Sequence, residues 1–130
     1  MLKLCTAAEV REAESAAVAR GHSLHDLMTT AGTAVAHEIA RRSSGAGTAL
    51  FLIGPGNNGG DGLVAAARLA ASGWRCLVWT WNRSRLDDVP IEQHLIDQLV
   101  HVEENGLEAA LRDADVIVDA VFGIGGKPSL

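Results

Sequence analysis

The hydrophobic pattern of the chain changes near residue 48. Before it, apolar positions recur every three or four residues; after it, short unbroken apolar runs alternate with helical stretches. Thr6-Ala-Ala-Glu9 forms a capping box, and Val10, Ala13 and Ala17 give the next helix a thin apolar stripe that Gly21 ends. Ser23 caps a second helix, where Leu24, Leu27, Met28, Ala31, Val35 and Ile39 fall at helical spacing. Gly32 lies inside that helix. It costs about 1 kcal/mol relative to alanine and permits close packing against a neighbour. Met28 reads as core packing, with a cofactor contact as the alternative.

Ser43 to Gly47 is a linker, and beyond it the pattern predicts alternating elements. These are a buried strand Ala49 to Ile53, a helix Asp61 to Ser72, a strand Cys76 to Trp81 and a helix Pro90 to Leu99. A short strand Val100 to Glu103, a short helix Gly106 to Arg112 and a strand Val116 to Val121 follow. Such alternation implies an α/β fold with a mostly parallel sheet, helices on both faces and right-handed crossovers. The two N-terminal helices form a pair outside this pattern, packed on one face or edge. About four strands are foreseen, few for such a sheet. With a strand and a Gly-rich turn directly before Leu130, residues 1–130 read as a single domain incomplete at its C-terminus.

Composition narrows the function classes. Hydrophobic residues make up 48% of 130 residues, enough for a buried core, and Tyr is absent, so that core is aliphatic. The net charge of -5 offers nothing to a polyanion, which argues against nucleic acid. No apolar run approaches the roughly 20 residues that span a bilayer, and the N-terminus lacks the apolar segment of a signal peptide. The two cysteines, Cys5 and Cys76, lack metal spacing and read as free thiols of a reducing, cytoplasmic compartment. His22, His25, His37, His94 and His101 form no ligand motif and read as surface residues, and Asp113 and Asp115 read as solvated.

The chemistry concentrates in two glycine-rich turns. GPGNNGGDG, Gly54 to Gly62, follows the first buried strand, where parallel sheets form their ligand crevice. Glycines there admit a close ligand or a positive φ, and the following helix offers its N–H groups and dipole to a phosphate. Asp61 is the natural N-cap of that helix, or else faces the ligand. Asn57 and Asn58 hydrogen-bond a ligand or serve as left-handed backbone positions. Gly54, Gly56 and Gly59 match G-x-G-x-x-G, but Trp79-Thr80-Trp81 stands where a dinucleotide fingerprint places an acidic residue. No Lys-Ser or Lys-Thr follows as in a Walker loop. The second turn follows Asp119, which lies toward the end of an apolar strand in VIVDAVF. Its carboxylate is satisfied by backbone N–H groups of its own turn, or it binds a cation or moves a proton. Gly123 to Gly126 forms a second phosphate-accommodating turn, with Lys127 a counter-charge or a solvated lysine.

GPGNNGGDGLVAAARLA, then VDAVFGIG, with LMTTAG at Leu27 to Gly32, resembles the NAD(P)H-hydrate epimerase family, also called the YjeF N-terminal domain. The resemblance covers essentially the whole chain but only the N-terminal part of a usual family domain. It implies a Rossmann-like three-layer sandwich and an isomerase that interconverts the R and S forms of NADH and NADPH hydrated at C6. It implies that Asn57, Asn58, Gly59, Gly60 and Asp61 contact the hydrated dinucleotide. Gly123, Ile124, Gly125, Gly126, Lys127, Pro128 and Ser129 would line its pyrophosphate side. Asn58 and Asp119 would help bind a potassium ion, and Asp119 would be the catalytic carboxylate. It also implies a separate or fused S-specific dehydratase as partner, and apolar helix faces outside the sheet suit a homodimer. The family's Asp-x-Pro-Ser-Gly-like strand end has no counterpart within these residues. The rival readings are a non-catalytic nucleotide-binding or interaction module, and an ordinary NAD-dependent oxidoreductase, which the missing acidic residue disfavours.

Overall fold

The computed structural model describes residues 3–5 and 24–121. Its elements are β1 (Lys3–Cys5), α1 (Leu24–Arg42), β2 (Thr48–Ile53), α2 (Asn57–Ala71), β3 (Arg75–Thr80), α3 (Gln93–Ile96), β4 (Val100–His101), α4 (Leu107–Asp113) and β5 (Val116–Ala120). The described strands form a five-stranded sheet in the order β1-β5-β2-β3-β4, with every pairing parallel. The α/β expectation is therefore met. The strand β1 was not foreseen, because its three residues are too few for a period to show. The capping-box helix and its end at Gly21 lie outside the described residues.

Alternation along the strands divides the core into two faces. Phe51, Ile53, Val78, Val118 and Ala120 turn to the side covered by α2, with Val64, Ala65 and Leu69 packed among them. Leu50, Leu77 and Ile117 turn to the other side and meet Ala110 and Ala114 around α4. Helix, sheet and helix make the three layers. Cys76 is buried in the first face, and that burial pushes its thiol up to about 12, so it behaves as a small hydrophobe.

The N-terminal helix pair is represented by α1, which lies along α2. Met28, Ala31, Val35 and Ile39 are buried as the stripe requires, whereas Leu24 is exposed because it opens the helix beyond the reach of α2. A Cβ on Gly32 would overlap the Val64 side chain and lie 2.8 Å from the Asp61 carbonyl oxygen. The helices therefore approach closely through a glycine. The expected helix over Pro90–Leu99 shrinks to Gln93–Ile96. Pro90 sits in a bend, and Leu95, Ile96 and Leu99 bury their side chains without a longer helix.

At the amino edge, Asp115 is not merely solvated. Its Oδ2 accepts a hydrogen bond from the Thr48 N–H at 2.9 Å, while its own N–H donates to the Thr48 carbonyl at 2.9 Å. This pair of hydrogen bonds joins the start of β2 to the residue before β5. The strands then pair Leu52 with Asp119 and Ile53 with Ala120 at the carboxyl edge.

Two effects oppose each other at Gly32. Alanine gains about 1 kcal/mol of helix propensity, but overpacking costs about 1–3 kcal/mol, and the backbone of Asp61 cannot yield. Gly32→Ala is expected to lower unfolding free energy in urea titrations. A stabilised variant would show that α1 and α2 are not packed this closely.

Candidate functional site

The nine-residue glycine stretch is only partly a loop. α2 begins at Asn57, four residues before the helix start read from the pattern, and Gly56 is its N-cap. Asp61 is therefore not the cap. It lies one turn inside the helix, 2% exposed, between the sheet and α1. Helix propensity misleads here, because four glycines lie at or near the first turn. What selects glycine is the space beside each Cα.

Gly54 passes against Val121, whose carbonyl would overlap a Cβ placed there. Its N–H donates to the Ala120 carbonyl at 3.1 Å, so the loop extends the β2–β5 pairing by one residue. A Cβ on Gly59 would overlap the Gly54 carbonyl. One on Gly60 would lie 2.7 Å from Met28 Cε, and one on Gly62 would lie 2.8 Å from both Ala120 Cβ and Ile53 Cδ1. Gly56 alone among the five has open space around it. None of the five adopts a positive φ. Among the described residues that conformation belongs to Gly45, Gly73 and Asn82. The left-handed role expected of Asn57 and Asn58 is accordingly absent, and the glycines serve close approach.

Asn57 is exposed at the helix start, while Asn58, 8% exposed, together with Gly59 and Gly60, is buried. Met28 packs into the core at Gly60, which answers its reading as core.

Asp119 stands at the carboxyl edge, as the pattern requires. It is half-buried, and its Oδ1 accepts a hydrogen bond from the Val121 N–H at 3.2 Å. Its own turn thus satisfies part of the carboxylate, which has four acceptor positions in all. Alternation places Asp119 on the side of Ile117, whereas Asn58 lies in the first turn of the helix that covers the opposite side. The two residues are brought to one edge from different layers. The turn Gly123, Ile124, Gly125, Gly126, Lys127, Pro128 and Ser129 lies outside the described residues.

The pattern gave no notice of Arg83. Asn82, with φ 52°, turns the chain after β3 and returns the Arg83 side chain beneath the glycine stretch. Its Nη1 donates to the carbonyls of Gly54 and Gly56, each at 3.1 Å. Its Nε donates to the Arg85 carbonyl at 3.0 Å, and its Nη2 to Asp88 Oδ1 at 2.9 Å. The side chain is 6% exposed. Hydrogen bonds to a charged donor contribute about 1.5–3 kcal/mol, so this one residue ties the loop to the segment after β3. A lone arginine in NRSRLDD carries no periodic or motif signal. Its one clue is its place just after a parallel strand, at the edge where ligands bind.

The Asn58 amide and the Asp119 carboxylate bring oxygen donors to this edge. Such a set suits a hard cation rather than a soft one. Among the described residues no group of three or more His, Cys, Asp or Glu is placed to hold a metal ion, and no helix is long and apolar enough to cross a membrane.

The different surroundings of two glycines give a direct check. Gly56→Ser fits the open, extended N-cap and is expected to change stability by less than about 1 kcal/mol. Gly59→Ser meets the Gly54 backbone and is expected to cost about 1–3 kcal/mol in urea unfolding. Equal effects would mean that the stretch is a loose loop and not a packed helix start.

The chain is similar to known proteins. The family model described as YjeF-related protein N-terminus matches residues 24–130. An NAD(P)H-hydrate epimerase of Yarrowia lipolytica is 33% identical over 126 residues, covering 92% of this chain and 50% of that protein. One of Rhodobacter capsulatus is 34% identical, covering 96% of this chain and 64% of its own. A bifunctional NAD(P)H-hydrate repair enzyme of Methanospirillum hungatei is 35% identical over 130 residues, 27% of its length. The crystal structure of yeast ynu0, YNL200c, superposes with a TM-score of 0.66 at 28% identity, over 98% of this chain and 60% of that one. The chain spans about half the length of the curated relatives it matches. Sequence match and shared fold agree with the glycine-lined sheet edge, and the chain belongs to the YjeF-related protein N-terminus family.

Proposed function

We propose that the chain is an NAD(P)H-hydrate epimerase, interconverting the R and S forms of hydrated NADH and NADPH. The observation that carries this reading is the seating of the glycine stretch against Val121. It puts the start of α2 and the carboxylate of Asp119 at one sheet edge. Relatives at 33% to 38% identity bear that name. A dinucleotide fits the edge in a simple way. Its pyrophosphate meets the N–H groups and positive dipole end of α2, and its hydrated ring lies toward Asp119.

Inverting C6 needs that carbon to become planar, by ring opening or, as favoured here, by breaking the C–O bond and re-forming it on the opposite face. Asp119 passes a proton to the C6 hydroxyl, which leaves as water, and the ring becomes planar and cationic. Water then adds to the other face and returns a proton to the carboxylate. Asn58 and Asp119 would hold a potassium ion, which would supply fixed positive charge at this edge. Asn57, Gly59, Gly60 and Asp61 would shape the substrate wall. Asp61 would do so from within the helix, by fixing how α2 sits against the sheet. A dehydratase specific for the S form, fused or separate, would consume the product, and the bifunctional relative of Methanospirillum hungatei is consistent with that pairing.

Starting from purified R hydrate with potassium present, the chain is expected to form S hydrate faster than the spontaneous rate, followed by chromatography. Asp119→Ala is expected to lower that rate by about 10²- to 10⁴-fold, the range for losing a general acid–base group. Replacing potassium with a large organic cation is expected to slow it as well. Dinucleotide binding with no acceleration would instead identify a binding module, and an unaffected Asp119→Ala would remove the carboxylate from the mechanism.

A further inference from the structure

We infer that Arg83 is a positioning residue for the dinucleotide, acting through the loop backbone without touching the ligand. This role rests on the function proposed above. A guanidinium has five N–H donors, and the protein itself uses four of them. Nε serves the Arg85 carbonyl, both Nη1 hydrogens serve the Gly54 and Gly56 carbonyls, and one Nη2 hydrogen serves Asp88. With the side chain 6% exposed, the group is committed to the protein rather than presented to solvent.

The two carbonyls it holds matter for direction. A trans peptide is planar, so its C=O and the N–H that follows point opposite ways. The carbonyl of Gly56 also accepts the N–H of Gly60 at 3.2 Å, the first hydrogen bond of α2. Clasping that carbonyl therefore fixes two things: the axis on which α2 starts, and the Asn57 N–H, directed away from Arg83. At Gly54 the next residue is Pro55, which has no N–H, so this second bond only anchors the strand end. Gly59 closes the arrangement, since its Cα lies so near that a Cβ would be 3.1 Å from Nη1. The clasp sits under the phosphate end of the crevice and orients donors that a pyrophosphate would meet.

Lysine cannot reproduce a planar fork that serves two carbonyls and a carboxylate, so a charge-preserving change breaks the geometry. The test compares Arg83→Lys, Arg83→Met and Asp88→Asn in the 130-residue chain. Three readouts are taken on each: amide hydrogen exchange of residues 57–59, the thermal midpoint, and kcat and KM for the R hydrate of NADPH. Arg83→Met is expected to speed exchange at 57–59 and to lower kcat/KM about a hundredfold, the scale of a small misplacement of binding groups. Arg83→Lys is expected to fall between it and the parent, about tenfold down, and carries the test if the methionine variant does not fold. Asp88→Asn keeps the carbonyl bonds and is expected to alter kcat/KM less than about threefold. Unchanged exchange and kcat/KM in Arg83→Lys would overturn the inference. So would a loss of kcat/KM with exchange unchanged, which would place Arg83 on the substrate. Faster exchange in a chain whose parent does not epimerise would uphold the positioning of the loop while refuting the proposed function.

Discussion

The contact between a glycine backbone and the end of a neighbouring strand governs the rest of this structure. β2 and β5 pair up to Ile53 and Ala120, and Gly54 then slides against Val121 where no side chain fits. Because the chain passes so close, α2 starts immediately, and its first turns lie on the sheet with glycine after glycine facing a neighbour. The cost is helix propensity, about 1 kcal/mol for each interior glycine relative to alanine. Burial of the Ala- and Leu-rich remainder of α2 offsets it, as do the Arg83 bonds to the two loop carbonyls. The stability of α2 thus comes from packing and a buried cation rather than from its N-terminal sequence.

The same contact explains the position of Asp61. A capping aspartate would need to sit at the helix mouth with its side chain over the first N–H groups. Four residues of additional helix place it one turn further in, near-fully buried, with α1 crossing at Gly32 close to its carbonyl oxygen. α1, α2 and the loop are therefore one packed unit. Within that unit Gly32 on α1 meets the Val64 side chain and the Asp61 carbonyl oxygen.

Much of the fold was legible because its strands are short apolar runs and its long helix has a clean stripe. β2, β3 and β5 lie within a residue of their expected bounds, and Gly32 announced its tight contact. The start of α2 was illegible, since four glycines in the opening turns contradict local propensity and only tertiary space accounts for them. β1 was too short for a period, and Pro90 disguised how little of the following segment is helical. In the site, Asp119 was readable as a carboxylate ending a buried strand. Arg83 was not, because its role depends on a left-handed turn at Asn82 and on carbonyls nearly thirty residues earlier.

In the proposed function the N-terminus of α2 and Asp119 are two walls of one dinucleotide crevice. A crystal structure of the chain with bound NADPH hydrate addresses this most directly. The expected result is a pyrophosphate against the N–H groups of the first turn of α2, Arg83 still on the Gly54 and Gly56 carbonyls, and the C6 hydroxyl within hydrogen-bond reach of Asp119. A dinucleotide bound away from the carboxyl edge, or one bound there with its nicotinamide turned from Asp119, would contradict it.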